Sequence, residues 1–284
     1  MNRASVNEAR WRVAAAFALL AAVAAAVAAA EPARELRVCA QPNNLPFSNQ
    51  RLEGFENKLA QLVADELSAT LRYTWRPQRR GFVRRTLNAG ACDLVMGVPS
   101  GFEPVLASVP YYRSTYAFVY AKDRQPGLSS FDDPALRGLR IGLHAVGDDG
   151  FSTPPAHALA RRGLLNNIVG FAMWDTDTVD SPAGRIVDAV ASGDIDLAIV
   201  WGPFAAYFAG RHPQRLEVRP VSPPPDMSAW PFAYDIAIGV RQGDAALKRE
   251  LDGVLERRRD QVREILEQYG VPLIGPTAET REGD

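Results

Sequence analysis

The sequence predicts an α/β fold in which mostly parallel sheets are flanked by helices. From residue 36 onward, short apolar runs of strand length alternate with segments whose apolar residues recur at helical spacing. This alternation is typical of parallel strands covered by helices on both faces. With 284 residues and 47% hydrophobic content, the chain is large enough for two domains of about 125 residues or for one large domain.

The first part of the pattern predicts three strands and two helices. In the longer helix, Leu59, Leu62, Val63 and Leu67 recur at helical spacing. Gly90 is a favourable residue for ending the shorter helix. The predicted elements are strands at 36–40, 71–75 and 93–97 and helices at 55–68 and about 80–90.

A second alternating unit lies inside the first. It follows the aromatic run 116–120 and a polar segment at 122–130, and a proline cluster at 220–225 connects it to the end of the chain. A single doubly wound domain would produce the same alternation, so the pattern alone leaves both arrangements open. The remaining predicted elements are strands at 139–143, 168–173, 196–200 and 235–240 and helices at 154–162, 182–192, 203–209, 244–258 and 260–269.

Residues 1–30 have the layout of a secretory signal peptide. Three arginines precede 18 uncharged, alanine-rich residues that end in Ala28, Ala29 and Ala30. We expect cleavage after Ala30, which leaves an exported protein with no membrane segment. An uncleaved membrane anchor is the alternative, because about 18 residues are the lower limit for a bilayer span. Cleavage leaves 29 basic and 32 acidic side chains.

The charge balance and the residue spacings exclude several functional classes. The whole chain has 32 Lys and Arg against 33 Asp and Glu, so it lacks the excess positive charge of a general nucleic-acid binder. Its three histidines and two cysteines lie far apart in sequence, without the short spacings of a zinc site. No phosphate-binding glycine pattern and no Ser-His-Asp order is present. We therefore expect no nucleic acid, no metal and no cofactor.

The two cysteines, Cys39 and Cys92, each flank an apolar run of strand length. In an exported protein, an even number of cysteines favours a disulfide over free thiols. The bridge would close a loop of 53 residues, which the chain-entropy model values at about 4 kcal/mol or less. Two buried thiols that never meet are the alternative.

Several strings of the chain are long and unusual. LRVCAQPNNLPFS, GFENKLAQLVADEL, PYYRSTYAFVYAKD and VASGDIDLAIVWGPFAAYF resemble, in this order, the periplasmic solute-binding proteins that serve ABC importers. The similarity covers about residues 35–270. CAQPNNLPFSN and YTWRPQRRGFVRRTL resemble in particular the MxaJ/XoxJ group, whose members are associated with dehydrogenases that depend on pyrroloquinoline quinone (PQQ). The resemblance implies a periplasmic protein.

The resemblance also implies a fold and its division. It predicts the type 2 periplasmic-binding-protein fold, in which two strands cross between two α/β lobes and a ligand cleft separates the lobes. Lobe I would comprise residues 31–120 and 235–284, and lobe II residues 121–234. The crossings would fall near 118–122 and 234–236. Such proteins close around a ligand by a hinge motion, and we expect a monomer.

The chain departs from the amino-acid-binding members of this superfamily at two positions. Those members clamp the ligand carboxylate with an arginine, but the corresponding stretch, 97–104, contains none. They also hold the ligand ammonium group with an aspartate two residues before a proline, and this chain has Trp201 there. An amino acid is therefore not the expected ligand.

The candidate ligand-binding residues follow from one rule. In open α/β sheets, ligands bind beyond the carboxyl ends of the strands, and residues just before the first crossing would face the mouth of the cleft. The candidates are Asn43, Asn44, Phe47, Arg79, Arg80, Val98, Pro99, Ser100, Tyr111, Arg113, Thr115, His144, Asp148, Asp149, Trp201 and Gly202.

Several of these candidates also have a simpler structural explanation. The asparagines at 43–44 suit a turn, and the arginines at 79–85 are typical of a solvated helix face. Trp201 suits a core position. The segment 148–150 resembles a metal loop but lacks the further oxygen ligands of a calcium site, which favours a turn.

Three functions are compatible with these features. The first is an accessory protein of a PQQ-dependent methanol or alcohol dehydrogenase, which binds the enzyme or assists its maturation. The second is an ABC-importer receptor for a small aromatic or anionic solute. The third is a dehydratase, which needs an acid or base of tuned pKa. No spacing singles out a catalytic pair among its candidates, Glu56, Asp93, Glu103, His144 and Asp235. We expect the first function, with no enzymatic activity and with the dehydrogenase as partner.

Overall fold

The computed structural model describes residues 34–124, 127–128, 130–145, 153–173, 181–222, 224–227 and 230–275. The predicted signal segment and the candidates Asp148 and Asp149 lie outside these residues. Within the described residues, no helix combines the length and the apolar character needed to cross a bilayer.

Twelve strands are present in the described residues. Ten form one large sheet, and β2 and β3 form a separate hairpin. The strands are β1 (Glu35–Ala40), β2 (Asn43–Asn44), β3 (Ser48–Asn49), β4 (Thr70–Trp75), β5 (Leu94–Pro99), β6 (Leu106–Ala107), β7 (Tyr112–Ala121), β8 (Ile141–Ala145), β9 (Ile168–Ala172), β10 (Leu197–Trp201), β11 (Leu216–Pro220) and β12 (Ala233–Val240).

The helices lie between the strands and at the end of the described chain. Side-chain caps begin two of the α-helices, since Thr153 accepts a hydrogen bond from the Ala156 N–H and Asp244 accepts one from the Leu247 N–H. The α-helices are α1 (Phe55–Glu66), α2 (Phe82–Arg85), α3 (Pro154–Arg161), α4 (Arg185–Ser192), α5 (Gly202–Ala209), α6 (Ala245–Arg257) and α7 (Arg259–Gln268). Short 3-10 helices cover Pro134–Gly138, Leu165–Asn167, Pro182–Gly184 and Pro225–Met227.

The large sheet contains two groups of parallel strands. Its order is β4-β1-β5-β12-β7-β10-β8-β9, with β11 on β7 and β6 on β12. In the first strand group, β1 runs parallel to β4 and β5. In the second strand group, β8 runs parallel to β9 and β10. The antiparallel strands β7 and β12 connect the groups, which confirms the predicted α/β class and the two-lobed, type 2 arrangement.

Strand β7 passes from one group to the other. Its residues Tyr112–Thr115 pair with β12, whereas Tyr116–Tyr120 pair with β10. The change of partner therefore falls between Thr115 and Tyr116, and the expected crossing near 118–122 lies further along the same strand. In β12, residues 233–236 pair with β7, and the strand then continues along β5.

Two local elements differ from the sequence-based expectation. The helix predicted at about 80–90 ends at Arg85 and is followed by turns. The reason is that Phe82 and Leu87 are both buried, and two residues five apart would point in different directions on a continuous helix. The second difference is β11, an antiparallel strand on β7 that was not predicted from the sequence and that ends at Pro220, the first residue of the predicted connection.

The predicted disulfide between Cys39 and Cys92 is confirmed, with a Cα–Cα distance of 5.5 Å. Cys39 lies on β1, and Cys92 lies two residues before β5. Both cysteines belong to a buried cluster that also contains Phe82 and Leu87. The bridge therefore ties β1 to the residues that precede β5, and the short helix α2 packs against it through Phe82.

Removal of this disulfide is expected to destabilise the mature protein. Replacing Cys39 and Cys92 by alanine should lower the free energy of unfolding by about 2 to 4 kcal/mol, because the unfolded chain regains the entropy of the closed loop. Urea denaturation of the double variant and of the wild type would measure the difference. Reduction of the wild type with dithiothreitol should reproduce the loss. Equal midpoints for all three samples would contradict this expectation.

Candidate functional site

Phe47, a candidate that was expected to line a cleft, lies instead in a contact that joins the two halves of the molecule. Phe47, which follows β2, packs against Phe204 of α5 with ring centroids 4.9 Å apart in an edge-to-face arrangement. The other neighbour of Phe47 is Phe55, at 5.0 Å. All three side chains are buried, and one hydrophobic cluster continues from the first strand group into the second. The halves of the molecule are therefore joined here by apolar side chains.

A polar contact reinforces this junction. The side-chain oxygen Oδ1 of Asn43 accepts a hydrogen bond of 2.8 Å from the backbone N–H of Ser181. Ser181 is buried and has a left-handed backbone with φ 53°, a conformation that is costly for a residue with a side chain. Asn44 lies opposite Ser48 in the β2–β3 hairpin. The hairpin therefore presents Asn43 to the segment that precedes α4.

His144 contributes to the same junction from the end of β8. Its ring packs edge-to-face on Phe204 at 5.3 Å, and its Nε2 lies 2.9 Å from the carbonyl oxygen of Ala183. Because a carbonyl only accepts, Nε2 carries the proton and donates it. Burial lowers the pKa of His144 to about 4, and the hydrogen bond to Ala183 opposes the shift. His144 is therefore neutral at pH 7.

Trp201 lies at the end of β10, close to the point where β7 changes partner. Its ring contacts Tyr116 at 5.5 Å and Tyr234 at 5.8 Å, both edge-to-face. Trp201 is only partly buried, and it packs against the continuous hydrophobic cluster. The tryptophan that stands where amino-acid receptors carry an aspartate is thus part of an aromatic group at the crossing.

Gly202 and Thr115 allow α5 to approach β7 closely. A Cβ atom on Gly202 would lie 2.6 Å from the carbonyl oxygen of Thr115, which is too close for any other residue. The Thr115 hydroxyl donates a hydrogen bond of 3.0 Å to the carbonyl oxygen of Phe232. These two candidates therefore serve the packing of the crossing.

A buried carboxyl lies near the junction on the side of the first strand group. Glu56, in the first turn of α1, is buried, and this burial raises its pKa to about 8. The hydroxyl of Tyr111 lies 3.5 Å from Glu56 Oε1 and accepts a hydrogen bond of 3.1 Å from the Gly97 N–H. Gly97 has φ 72°, and a Cβ there would lie 2.3 Å from Glu56 Oε1. The carboxyl is therefore held as a neutral acid in a tight space.

Arg113 lies on another face of the first strand group. Its guanidinium pairs with Asp235 at 2.5 Å, and both residues border a groove of about 600 Å³ against α7 and residues 273–274. The backbone N–H of Ser100 donates to the carbonyl oxygen of Asp235 at 2.7 Å. Val98 and Pro99 pair with β12 beside Ser100. Arg113 and residues 98–100 therefore meet around β12.

Arg79 and Arg80 follow β4 and are exposed. Arg79 borders a second cavity, of about 460 Å³, together with Arg76, Phe82 and Arg85. The structure thus distributes the described candidates over the junction, the crossing, the β12 groove and this arginine-rich loop.

Sequence reasoning did not identify Phe204 and Ser181, which complete the junction. Both Phe204 and its neighbour on the next turn, Phe208, lie in α5, within the helix predicted at 203–209. Ser181 precedes a proline, and nothing in its local sequence indicates that it meets Asn43. Within the described part of the chain, no three His, Cys, Asp or Glu side chains come together to hold a metal ion.

The chemistry available at the junction is that of packing and hydrogen bonding. His144 donates to a backbone carbonyl, and Glu56 lies against Gly97 and Tyr111. Folding raises the pKa of Glu56 and lowers the pKa of His144. A carboxyl whose pKa rises on folding favours the folded state at low pH, whereas a histidine whose pKa falls favours it at high pH.

We expect Glu56→Gln to remove a pH-dependent loss of stability. In the wild type, this loss begins near pH 4.5 and grows until pH reaches about 8, because the unfolded carboxyl ionises while the buried one stays protonated. The variant should therefore gain about 2 to 4 kcal/mol relative to the wild type between pH 4.5 and pH 8. Urea denaturation at each pH measures the gain. Glu264→Gln, which removes an exposed carboxyl, is the matched control, and parallel curves for wild type and E56Q would contradict the assignment.

The opposite dependence is expected for His144→Gln. As pH falls from 6.5 to 4, the unfolded histidine gains a proton that the buried ring does not take up, and the wild type loses stability. The glutamine side chain retains an N–H donor for the Ala183 carbonyl. Over this pH range the free energy of unfolding should therefore fall by about 1 to 3 kcal/mol less in the variant than in the wild type. Urea denaturation measures this difference. A loss of the same size in both proteins would show that His144 does not titrate in this way.

Comparisons with known proteins agree with this fold. The model of the family "Bacterial extracellular solute-binding proteins, family 3" matches residues 36–272. Protein MoxJ of Methylorubrum extorquens is 33% identical over 265 residues, which are 88% of this chain and 85% of MoxJ.

Two solved structures are also similar. The periplasmic binding protein XoxJ from Methylobacterium extorquens AM1 has 36% identity and a TM-score of 0.70, and the match covers 85% of this chain and 100% of XoxJ. MxaJ from Methlophaga aminisulfidivorans MPT has 28% identity and a TM-score of 0.74, with 84% of this chain and 100% of MxaJ covered. The chain therefore belongs to family 3 of the bacterial extracellular solute-binding proteins and, within that family, to the group of MoxJ, MxaJ and XoxJ.

Proposed function

We propose that this protein is a periplasmic accessory protein of a PQQ-dependent methanol or alcohol dehydrogenase, which binds the enzyme or assists its maturation. Membership in the group of MoxJ, MxaJ and XoxJ supports the association, and the signal-peptide layout of residues 1–30 supports export. In this proposal the mature protein is a non-enzymatic monomer without a cofactor.

The observation that carries the proposal is the junction between the two halves. A solute receptor keeps its lobes apart until a ligand bridges them. Here Phe47 contacts Phe204 directly, and Asn43 accepts a hydrogen bond from Ser181. Separating the halves would expose part of both phenylalanine side chains, which costs free energy in proportion to the apolar area exposed, about 25 cal/mol per Å². The protein's own side chains thus favour the closed arrangement, and a role that requires solute exchange is disfavoured.

The chemistry of the candidate residues supports the same conclusion. Trp201 stands in place of the aspartate that holds a ligand ammonium group, and it is engaged with Tyr116 and Tyr234. Arg113 pairs with Asp235, so its charge is already balanced. In this proposal the lobes keep the predicted boundaries, with lobe I at 31–120 and 235–284 and lobe II at 121–234, and their outer surfaces provide the contacts to the enzyme.

A receptor for a small aromatic or anionic solute is the second candidate function. The partly exposed aromatic group of Trp201, Tyr116 and Tyr234 favours it, because such rings stack on planar ligands. This candidate predicts that a solute raises the free energy of unfolding by about 2.7 kcal/mol at a hundredfold excess over its Kd. An unchanged melting temperature across a solute library would count against it.

Binding to the dehydrogenase tests the proposal directly. The mature protein, residues 31–284, is mixed with the purified PQQ-dependent dehydrogenase at 50 mM NaCl and analysed by size-exclusion chromatography and by the rate of alcohol oxidation. We expect co-elution and a changed rate. Phe102→Ala, which truncates an exposed ring, is the control for Phe47→Ala, which loosens the junction and should weaken the complex.

Mass spectrometry of the same samples separates the two functions. A complex with the enzyme and no retained small molecule supports the accessory role. Absence of a complex together with an unchanged rate contradicts it, and a tightly held solute in that case supports the receptor.

A further inference from the structure

Positive charge is concentrated on one surface, whereas the proposed function does not say which outer surface contacts the enzyme. We define the arginine surface by Arg76, Arg79, Arg80, Arg84 and Arg85, which are all exposed. From residue 67 to residue 92 the chain contains no Asp or Glu. Without these five arginines, the mature chain would have 24 basic side chains against 32 acidic ones. The arginine surface is therefore a basic region on an otherwise acidic protein.

Four arginines of this surface carry charges that are not balanced within the described part of the chain. Arg76, Arg79, Arg84 and Arg85 form no ion pair with a carboxylate there. Other arginines of the molecule form such ion pairs. Arg140, for example, pairs with Asp196 at 2.9 Å. Unbalanced guanidinium groups at the surface attract negatively charged partners over about 10 Å at ordinary ionic strength.

Two guanidinium groups of the surface converge on one point. Measured from the position that a Cβ on Gly81 would take, Nη1 of Arg85 lies at 3.1 Å and Nη2 of Arg84 at 3.6 Å. Arg85 also borders the cavity of about 460 Å³ together with Arg76 and Arg79. Like charges held close together repel each other, and a carboxylate that accepts from both groups removes this cost.

The backbone beneath the arginine surface is well supported. The Arg76 N–H donates to the carbonyl oxygen of Ala40 at 3.0 Å, and the Gln78 N–H donates to the side chain of Gln41 at 3.1 Å. Phe82 is buried next to the disulfide. A surface whose backbone is already ordered loses less entropy when it binds a partner.

We propose that the arginine surface docks an acidic surface of a partner protein. The inference rests on the proposed function, which supplies the dehydrogenase as that partner. The guanidinium groups are exposed and extend over ten residues of loop and helix, which suits an acidic protein surface better than a single small anion. Paired Arg–carboxylate contacts give such a complex its orientation and a high association rate.

Charge reversal tests the surface. The variant Arg79→Glu, Arg84→Glu, Arg85→Glu is compared with the control Arg137→Glu, Arg249→Glu, Arg259→Glu, which changes the net charge equally at exposed arginines elsewhere. Biolayer interferometry with the purified dehydrogenase should show a Kd at least about tenfold weaker for the first variant and changed by less than about twofold for the control. The difference should shrink at 300 mM NaCl because of screening. The milder variant Arg79→Gln, Arg84→Gln, Arg85→Gln replaces the first variant if circular dichroism shows misfolding.

Each outcome of this comparison is decisive. Equal binding by the wild type and both variants overturns the docking surface but leaves the accessory function intact. If the wild type does not bind the dehydrogenase, the accessory function fails, and poly-L-glutamate then tests the surface by itself. Salt-dependent binding of that polymer, lost only in the first variant, supports the surface, whereas equal binding by all variants overturns it. Citrate and poly-L-glutamate are also compared, at equal carboxylate concentration, as competitors for binding to the arginine surface. If citrate competes as strongly as the polymer, the surface is a small-anion site, and protein docking is overturned.

Discussion

The close approach of α5 to β7 is the constraint on which the arrangement of the two lobes depends. At Gly202 the helix comes so near to the backbone of Thr115 that a Cβ would lie 2.6 Å from its carbonyl oxygen. Helix α5 follows β10 directly, and β7 changes partner after Thr115. The approach therefore fixes the second strand group against the crossing strand. It also brings Phe204, two residues into the helix, onto Phe47 of the first half.

Most of the fold could be predicted from the sequence, because its strands and helices carry strong local patterns. The strand at 36–40 and the helix at 55–68 differ from β1 and α1 by at most two residues at either end. The predicted helix at 80–90 is too long because the spacing of its arginines and the stop signal of Gly90 are local features, while the burial of both Phe82 and Leu87 depends on the tertiary structure. The disulfide was predictable because, in an exported chain with two cysteines, each cysteine has one possible partner for an intramolecular bridge.

The junction could be predicted only in part. The rule for the carboxyl ends of strands identified Asn43, Phe47 and His144, because each follows or ends a strand. Their partners Phe204 and Ser181 lie far away in the sequence, and no local pattern encodes contacts between distant segments. The burial of Glu56 has the same origin: its neighbours Gly97 and Tyr111 come from β5 and from the start of β7. Local patterns indicate which face of a helix or strand a side chain occupies, but its contacts with distant residues depend on the tertiary structure.

Under the proposed function, the junction also explains how a receptor fold could serve a partner protein. A receptor uses the binding energy of its ligand to stabilise a closed state that is otherwise little populated. In this chain the contacts of Phe47 with Phe204 and of Asn43 with Ser181 supply that energy from within the protein. A solute would have to compete with these contacts before it gained any of its own. Under the proposed function, a molecule held in one closed state would present a constant outer surface to the enzyme, and most pre-organised complexes change little in backbone on binding.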